Sequence, residues 1–224
     1  IKQVYKRADM VIKVKEPLEP EYNLIRKDQL IFTYLHLAAD ENLTHCLLDS
    51  GATCIAYETV TNDDGSLPLL RPMSEVAGKM AVQVGCQFLE KRKGGRGILI
   101  SGVPGVPPGD VVIIGGGVVG LSAAQVAVGL GAQVAIIDVS TRVIRHVDEY
   151  MLGRVITIKS NPETVERAVM YADLVVGAVL VTGAKAPKVI TGQMVKRMKA
   201  GSVIVDVAID QGGCIETSKL TTHT

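Results

Sequence analysis

The chain has 224 residues, enough for one large or two modest domains, and a 47% hydrophobic, 21% charged composition that excludes a disordered chain. Its 24 basic and 23 acidic side chains leave a net charge of +1, so no nucleic-acid partner is expected. No apolar run reaches the ~20 residues of a membrane-spanning helix and the first residues are not a secretory signal, which predicts no membrane partner and a cytoplasmic location.

In chain order, residues 10–14 read as a strand with Ile12 and Val14 on one face and Lys13 and Lys15 on the other. Two lysines at a strand end are either a solvated face or an anion site. L-I-F-T-Y-L at 30–35 predicts a second strand, with His36 just beyond it, then a helix over 39–50 and a strand over 53–57 that ends at Glu58. His36 is either a structural, hydrogen-bonded residue or a proton carrier, because free imidazole titrates near ~6.5. Glu58 is either a surface acid or a carboxylate that orients a histidine. Turn residues at 62–65 and the prolines Pro68 and Pro72 precede a helix predicted over 74–92 with Ser74 as its N-cap. Along it Val76, Met80, Val84 and Phe88 recur at helical spacing with Ala77, Ala81 and Gly85, which predicts an ordinary core-facing stripe; a domain connection or a second subunit are the other uses.

A glycine- and proline-rich span, 94–109, leads into V-V-I-I-G-G-G-V-V-G-L-S-A-A at 111–124, an apolar strand running into glycines and then a helix pattern. Gly115, Gly117 and Gly120 fit G-x-G-x-x-G: the first permits a tight turn, the second lets backbone approach a pyrophosphate, and the third lets helix pack on strand. The alternative is a strand–helix turn without a ligand. The next apolar run ends at Asp138, roughly the ~20 residues downstream at which an acid meets ribose hydroxyls. An acid there repels a ribose phosphate and predicts NAD rather than NADP, with Arg142 and Arg145 nearby as the opposing signal. Further strands at 155–159, 174–176 and 203–207 alternate with helical or loop-like segments, as a parallel doubly wound sheet requires. Ligands sit at the carboxyl ends of such strands, which singles out Asp138, Ser160, 177–180 and 206–213. Ser160 is either a helix cap or a partner for adenosine, and Asp210 either a turn aspartate or a carboxylate near a nicotinamide ring. Cys46, Cys54, Cys86 and Cys214 form no C-x-x-C pair and lack a histidine at zinc spacing, so buried free thiols and no metal are expected.

Six strings then stand together: K-V-K-E-P-L at 13–18, F-T-Y-L-H-L-A-A at 32–39, A-Y-E-T-V at 56–60, P-L-L-R-P-M-S-E-V-A-G at 68–78, G-G-R-G and G-V-P-G-V between 94 and 106, and A-I-D-Q-G-G-C at 208–214. They closely resemble the alanine dehydrogenase / pyridine nucleotide transhydrogenase family over essentially the whole chain. The resemblance implies an α/β protein, a Rossmann-type doubly wound sheet with a second, incomplete α/β catalytic domain. Its divisions are expected at 1–72 (partial substrate domain), 73–93 (connecting helix) and 94–224 (NAD-binding domain). It implies NAD-dependent reversible oxidative deamination of L-alanine to pyruvate and ammonium, in a homo-oligomer that is hexameric in the family. By the same resemblance Lys15 would hold the substrate carboxylate and carbonyl oxygen, and His36 would bond the substrate and handle protons. Asp210 would activate water and stabilise the iminium; whether it or His36 is the base stays open. Met73 and Ser74 would line the cofactor cleft, Ser74 on the pyrophosphate side. Asp138 would bind ribose, Ser160, Val179 and Leu180 would meet the adenosine half and the approach to the ring, and Gln211 would sit beside the nicotinamide. The sequence departs from the family at Val143, a lysine in some members, with Arg142 adjacent, and these 224 residues lack the family's N-terminal arginine and its returning C-terminal segment. A catalytically silent NAD-binding fragment, or a transhydrogenase-like or lysine-pathway dehydrogenase relative, are the rival readings.

Overall fold

Parallel strands flanked by helices build both units of the computed structural model, which describes residues 1–181 and 184–221. The units are 1–72 with 181–185, and 73–180 with 186–224.

In the first unit, α1 (Lys2–Arg7) precedes the parallel strands β1 (Met10–Ile12), β2 (Leu30–Thr33) and β3 (Thr53–Ala56), hydrogen-bonded in that order with Ile31 between Val11 and Cys54. The crossover α2 (Glu41–Ser50) starts two residues later than the sequence suggests, because Asp40 caps it, accepting the Leu43 amide at 2.9 Å. Tyr5, Val11, Ile31, Leu35, Leu43 and Leu47 form the core. Strand β1 is shorter than the predicted 10–14. Val11 enters the core while Ile12 and Val14 are exposed. Lys13 does not share a face with Lys15 in a strand; its ammonium lies 2.5 Å from Glu21 Oε2. Burial acts to raise the Glu21 carboxyl, but the Leu18 amide and Lys13 outweigh it and hold the group below its ordinary range.

The second unit holds most of α3 (Arg71–Phe88), followed by β4 (Asp110–Ile114), α4 (Val118–Gly129), β5 (Gln133–Asp138), α5 (Thr141–Met151), β6 (Ile156–Lys159), α6 (Pro162–Tyr171), β7 (Leu174–Gly177), α7 (Gly192–Lys196) and β8 (Val203–Asp206). The five strands are parallel in the order β6-β5-β4-β7-β8, with Val112 opposite Ala135 and Val175. β4 and β7 are apolar along almost their whole length because helices cover both faces. Ala81, Val82, Ala123, Ala127, Val147 and Met151 pack on one face; Val165, Val169, Ile190 and Met194 pack on the other. The chain leaves β4 for β5 on one side and reaches β7 on the other, so the order reverses between β4 and β7.

Two expectations for α3 are corrected. It begins at Arg71 with Pro72 in its first turn, where a missing N–H costs nothing, so Ser74 is a buried residue inside the helix and not its N-cap. The expected core stripe holds only for its small members: Ala81 and Gly85 are buried, together with Ser74, Gly78 and Val82, whereas Val76, Met80 and Phe88 are 56%, 45% and 47% exposed. Close approach explains the choice. A Cβ on Gly78 would lie 2.2 Å from the Val119 carbonyl oxygen, and one on Gly85 would lie 2.5 Å from Leu174 Cδ1, so the side with least volume faces α4 and β7.

All four cysteines are free, but only Cys214 is fully buried, which corrects the expectation for the other three. Burial, and then the neighbouring Asp206 carboxylate, push the Cys214 thiol up to about 12. Iodoacetamide at pH 8 is therefore expected to leave Cys214 unmodified in the folded protein and to label it on unfolding, as peptide mass spectrometry will read. Labelling of folded protein at the rate of a free thiol would contradict this burial. Among the described residues no helix is long and apolar enough to cross a membrane, and no cluster of three His, Cys, Asp or Glu is placed to hold a metal ion.

Candidate functional site

Where the sheet order reverses, the carboxyl end of β4 runs into the three glycines, and each meets a different constraint. Gly115 has φ +102°, a conformation that side chains disfavour, and a Cβ on it would lie 2.5 Å from the Ala178 carbonyl oxygen. Gly120 lies so close beneath that its Cβ would be 1.9 Å from the Gly115 carbonyl oxygen. Gly117, between them, has none of the described residues within 4 Å of that position. It is the N-cap of α4 and has no side chain to cap the helix, so it satisfies none of the first-turn amides that way. A pyrophosphate fits this arrangement: it needs backbone close at hand, unpaired N–H groups and no Cβ in the way.

Asp138, at the end of β5, accepts the Gly116 amide on Oδ2 and the Ser140 amide on Oδ1, both at 2.7 Å. The carboxylate thereby clamps the glycine turn to the neighbouring strand, and its remaining lone pairs are of the kind that accept ribose hydroxyls. Ser160 follows β6, its amide donating to the Asp138 carbonyl at 2.9 Å. It is not the cap of α6, because Asn161 is, its side chain accepting from Thr164 at 2.9 Å. After β7, the Ala178 amide donates to Ile114 at 2.8 Å, Val179 is half-buried against the core and Leu180 is exposed.

Beyond β8 a 3₁₀ turn, Val207–Gln211, carries Asp210, which is exposed, and Gln211. The Gln211 Oε1 is buried and, among the described residues, without a hydrogen-bond partner. A buried acceptor left open is costly, and a carboxamide N–H such as that of nicotinamide would satisfy it. The uncapped α4, the open Gly117 and this acceptor all fit a dinucleotide.

In the first unit, Lys15 and His36 follow the carboxyl ends of the paired strands β1 and β2, and the Thr33 hydroxyl donates to the Lys15 carbonyl at 2.8 Å. Lys15 is exposed. His36 has left-handed backbone (φ 49°, ψ 37°) and a ring only 14% exposed. Glu58 makes that backbone possible. It is buried rather than a surface acid, and its Oε1 accepts the His36 amide at 2.6 Å and the Leu35 amide at 3.0 Å. The ring itself meets Glu16, with Nδ1 3.3 Å from Oε2, and stacks on Tyr34 at a centroid distance of 5.7 Å. Tyr34 is fixed in turn by donating its hydroxyl to the Leu69 carbonyl at 2.6 Å, and burial, then Glu58, raises its phenol above the ordinary value and keeps it a donor. Glu16 and Tyr34 were not among the residues the sequence singled out. The only local signal for Glu16 is its place beside Lys15.

The parallel order and the glycine turn define a doubly wound α/β protein of the Rossmann class. Family models agree in detail: the alanine dehydrogenase/PNT C-terminal domain matches residues 81–224 and the N-terminal domain matches 1–77. The chain belongs to the alanine dehydrogenase/PNT family. It is 56% identical over 223 residues to the alanine dehydrogenase of Methanococcus maripaludis, covering 99% of this chain and 60% of that one. To the alanine dehydrogenase of Staphylococcus haemolyticus it is 59% identical over 217 residues, covering 96% and 58%. Among solved structures, an L-alanine dehydrogenase superposes with a TM-score of 0.86 at 55% identity, covering 99% of this chain and 61% of that one. A transhydrogenase from Sinorhizobium meliloti gives 0.78 at 25% identity, covering 97% and 64%. The chain thus spans about 60% of the length of these relatives.

Proposed function

We propose that the whole protein of which this chain is a part oxidatively deaminates L-alanine with NAD and water, giving pyruvate, ammonium, NADH and a proton. The observation that carries the reading is the glycine turn, open at Gly117 and uncapped at α4, in a chain of a family with alanine dehydrogenases at 56–59% identity. Gly115, Gly117, Gly120 and Ser74 would hold the pyrophosphate, Asp138 the ribose, and Ser160, Val179 and Leu180 the adenosine half. Gln211 would meet the carboxamide. The chemistry that NAD supplies is acceptance of a hydride from the alanine alpha carbon.

The chain's own residues do the rest. The Lys15 ammonium offsets the substrate carboxylate and polarises the carbonyl oxygen. Glu16, with Oε2 3.3 Å from His36 Nδ1, orients the ring. Deamination needs a proton taken from the alanine ammonium so that hydride can leave, a second taken from the water that adds to the iminium carbon, and, as the carbinolamine collapses, a proton returned to the departing nitrogen while the hydroxyl gives one up to form the pyruvate carbonyl; His36 and Asp210 share these transfers. Asp138 disfavours a ribose phosphate, hence NAD over NADP. Asp138→Ala removes the ribose acceptor and the clamp on Gly116 together, so NADH affinity is expected to fall by about 10- to 100-fold, the size of a lost charged hydrogen bond or two. Unchanged affinity in a fluorescence titration would take Asp138 out of the site.

A homo-oligomer is also inferred, supported by the outward-facing Val76, Met80 and Phe88 of α3; its hexameric number rests on family resemblance alone. Four free cysteines support a cytoplasmic location. The reading is tested by following NADH with alanine, lysine or no amino acid, and hydride transfer from NADH to thio-NAD, in the full-length protein. Alanine-dependent NADH with stoichiometric pyruvate supports it. Hydride transfer to thio-NAD without alanine turnover would favour the transhydrogenase-like reading, and dinucleotide binding with no turnover the silent one.

A further inference from the structure

Lys188 has no part in the account so far, yet its ammonium is fully engaged. It donates to the carbonyl oxygens of Gly212 at 2.5 Å, Gly213 at 2.9 Å and Ile215 at 3.3 Å. Those are all three of its donors. The carbonyls lie just past the C-terminal end of the 3₁₀ turn 207–211, where backbone acceptors are otherwise left unmatched and a cation is favoured. Gly212 and Gly213 both have positive φ, +89° and +74°, and two successive glycines are where a loop has most freedom to lose. Asp206 accepts the amides of Cys214 at 3.3 Å and Ile215 at 3.1 Å. The segment that carries Lys188 runs alongside, Ala186 donating to the Gln211 carbonyl at 2.9 Å and Val189 to that of Cys214 at 2.8 Å. The loop is thus gripped by an anion on its N–H groups and by a cation on its carbonyls.

We propose that Lys188 is a positioning residue: by tying down the Gly212–Gly213 turn it fixes the short helix that presents Asp210 and Gln211. Its effect on turnover rests on the roles proposed above for those two residues, whereas its hold on the loop does not. Arginine cannot replace it, because a planar guanidinium does not direct three donors at three converging carbonyls.

The test uses the full-length protein with K188M, which keeps length and removes the ammonium, and K188Q, which keeps an amide donor. Hydrogen exchange in peptides covering 211–215 should quicken by about tenfold or more in K188M, less in K188Q, with β4 and α4 unchanged. With alanine, kcat should fall by about tenfold or more in K188M, the kind of loss a small displacement of a reacting group causes, while the KM for alanine moves by less than about threefold. Unchanged exchange in 211–215 overturns the proposal, and so does faster exchange with wild-type kcat. Wild-type protein that does not oxidise alanine defeats the functional reading instead, and the exchange result then decides the loop anchor alone.

Discussion

Gly120→Ala is expected to abolish measurable NADH binding and to destabilise the protein. The added methyl would sit 1.9 Å from the Gly115 carbonyl oxygen, 3.0 Å from its carbonyl carbon and 3.2 Å from Ile113 Cγ2. The nearest obstacles are backbone, and backbone of the very turn that Gly115 makes at φ +102°, so no flexible side chain can give way. Helix α4 must move outward, which opens the packing of Ala123, Ala124 and Ala127 on the sheet, or the turn must be displaced. Overpacking of this kind costs about 1–3 kcal/mol and occasionally more. A displaced turn also carries the α4 amides away from the pyrophosphate, so an affinity loss of at least about 100-fold is expected, equivalent to ~2.7 kcal/mol. Gly117→Ala is the contrast, because its Cβ enters open space. It should leave the thermal midpoint within a few degrees and still weaken NADH binding by occupying the place of the ligand. Thermal unfolding and NADH fluorescence titration check both, and wild-type affinity in Gly120→Ala would refute the packing argument.

His36→Ala in the full-length protein is expected to cut kcat for alanine oxidation by about 10²- to 10⁴-fold, the range for loss of a general acid–base group. NADH affinity should change by less than about twofold, since the residues proposed to hold the dinucleotide all belong to the other unit. The left-handed backbone supports this expectation: its strain is held by a buried carboxylate, Glu58, on the His36 amide, and the ring lies between Glu16 and Tyr34. A histidine serving only the core would need none of that construction. Steady-state kinetics with alanine and pyruvate make the measurement, and near-normal deamination would end the proposed role of His36.

The parallel sheet of the second unit was legible because its signals are local. An apolar strand, a glycine turn and a helix follow one another within 111–124, and the sheet buries β4 and β7 on both faces, which writes continuous apolar runs into the chain. The turn at Gly115 and the close packing at Gly120 could also be stated in advance, since each follows from where a Cβ can fit. What could not be read was set by partners far along the chain. Helical spacing marks two apolar lines on α3, but which turns inward depends on how closely Val119 and Leu174 approach. Glu16 and Glu58 reach His36 only because β1, β2 and β3 pair in parallel, twenty or more residues apart in sequence. The clamp from Asp138 to Gly116 likewise needs the β4–β5 register, and nothing in A-P-K-V announces that Lys188 will meet three carbonyls.

A crystal structure of the full-length protein with NADH and pyruvate tests the account most directly. The pyrophosphate is expected against the amides at the start of α4, the adenosine ribose on Asp138, and pyruvate within hydrogen-bonding distance of Lys15 and His36. A dinucleotide bound away from Gly117, or pyruvate held by residues other than Lys15 and His36, would contradict it.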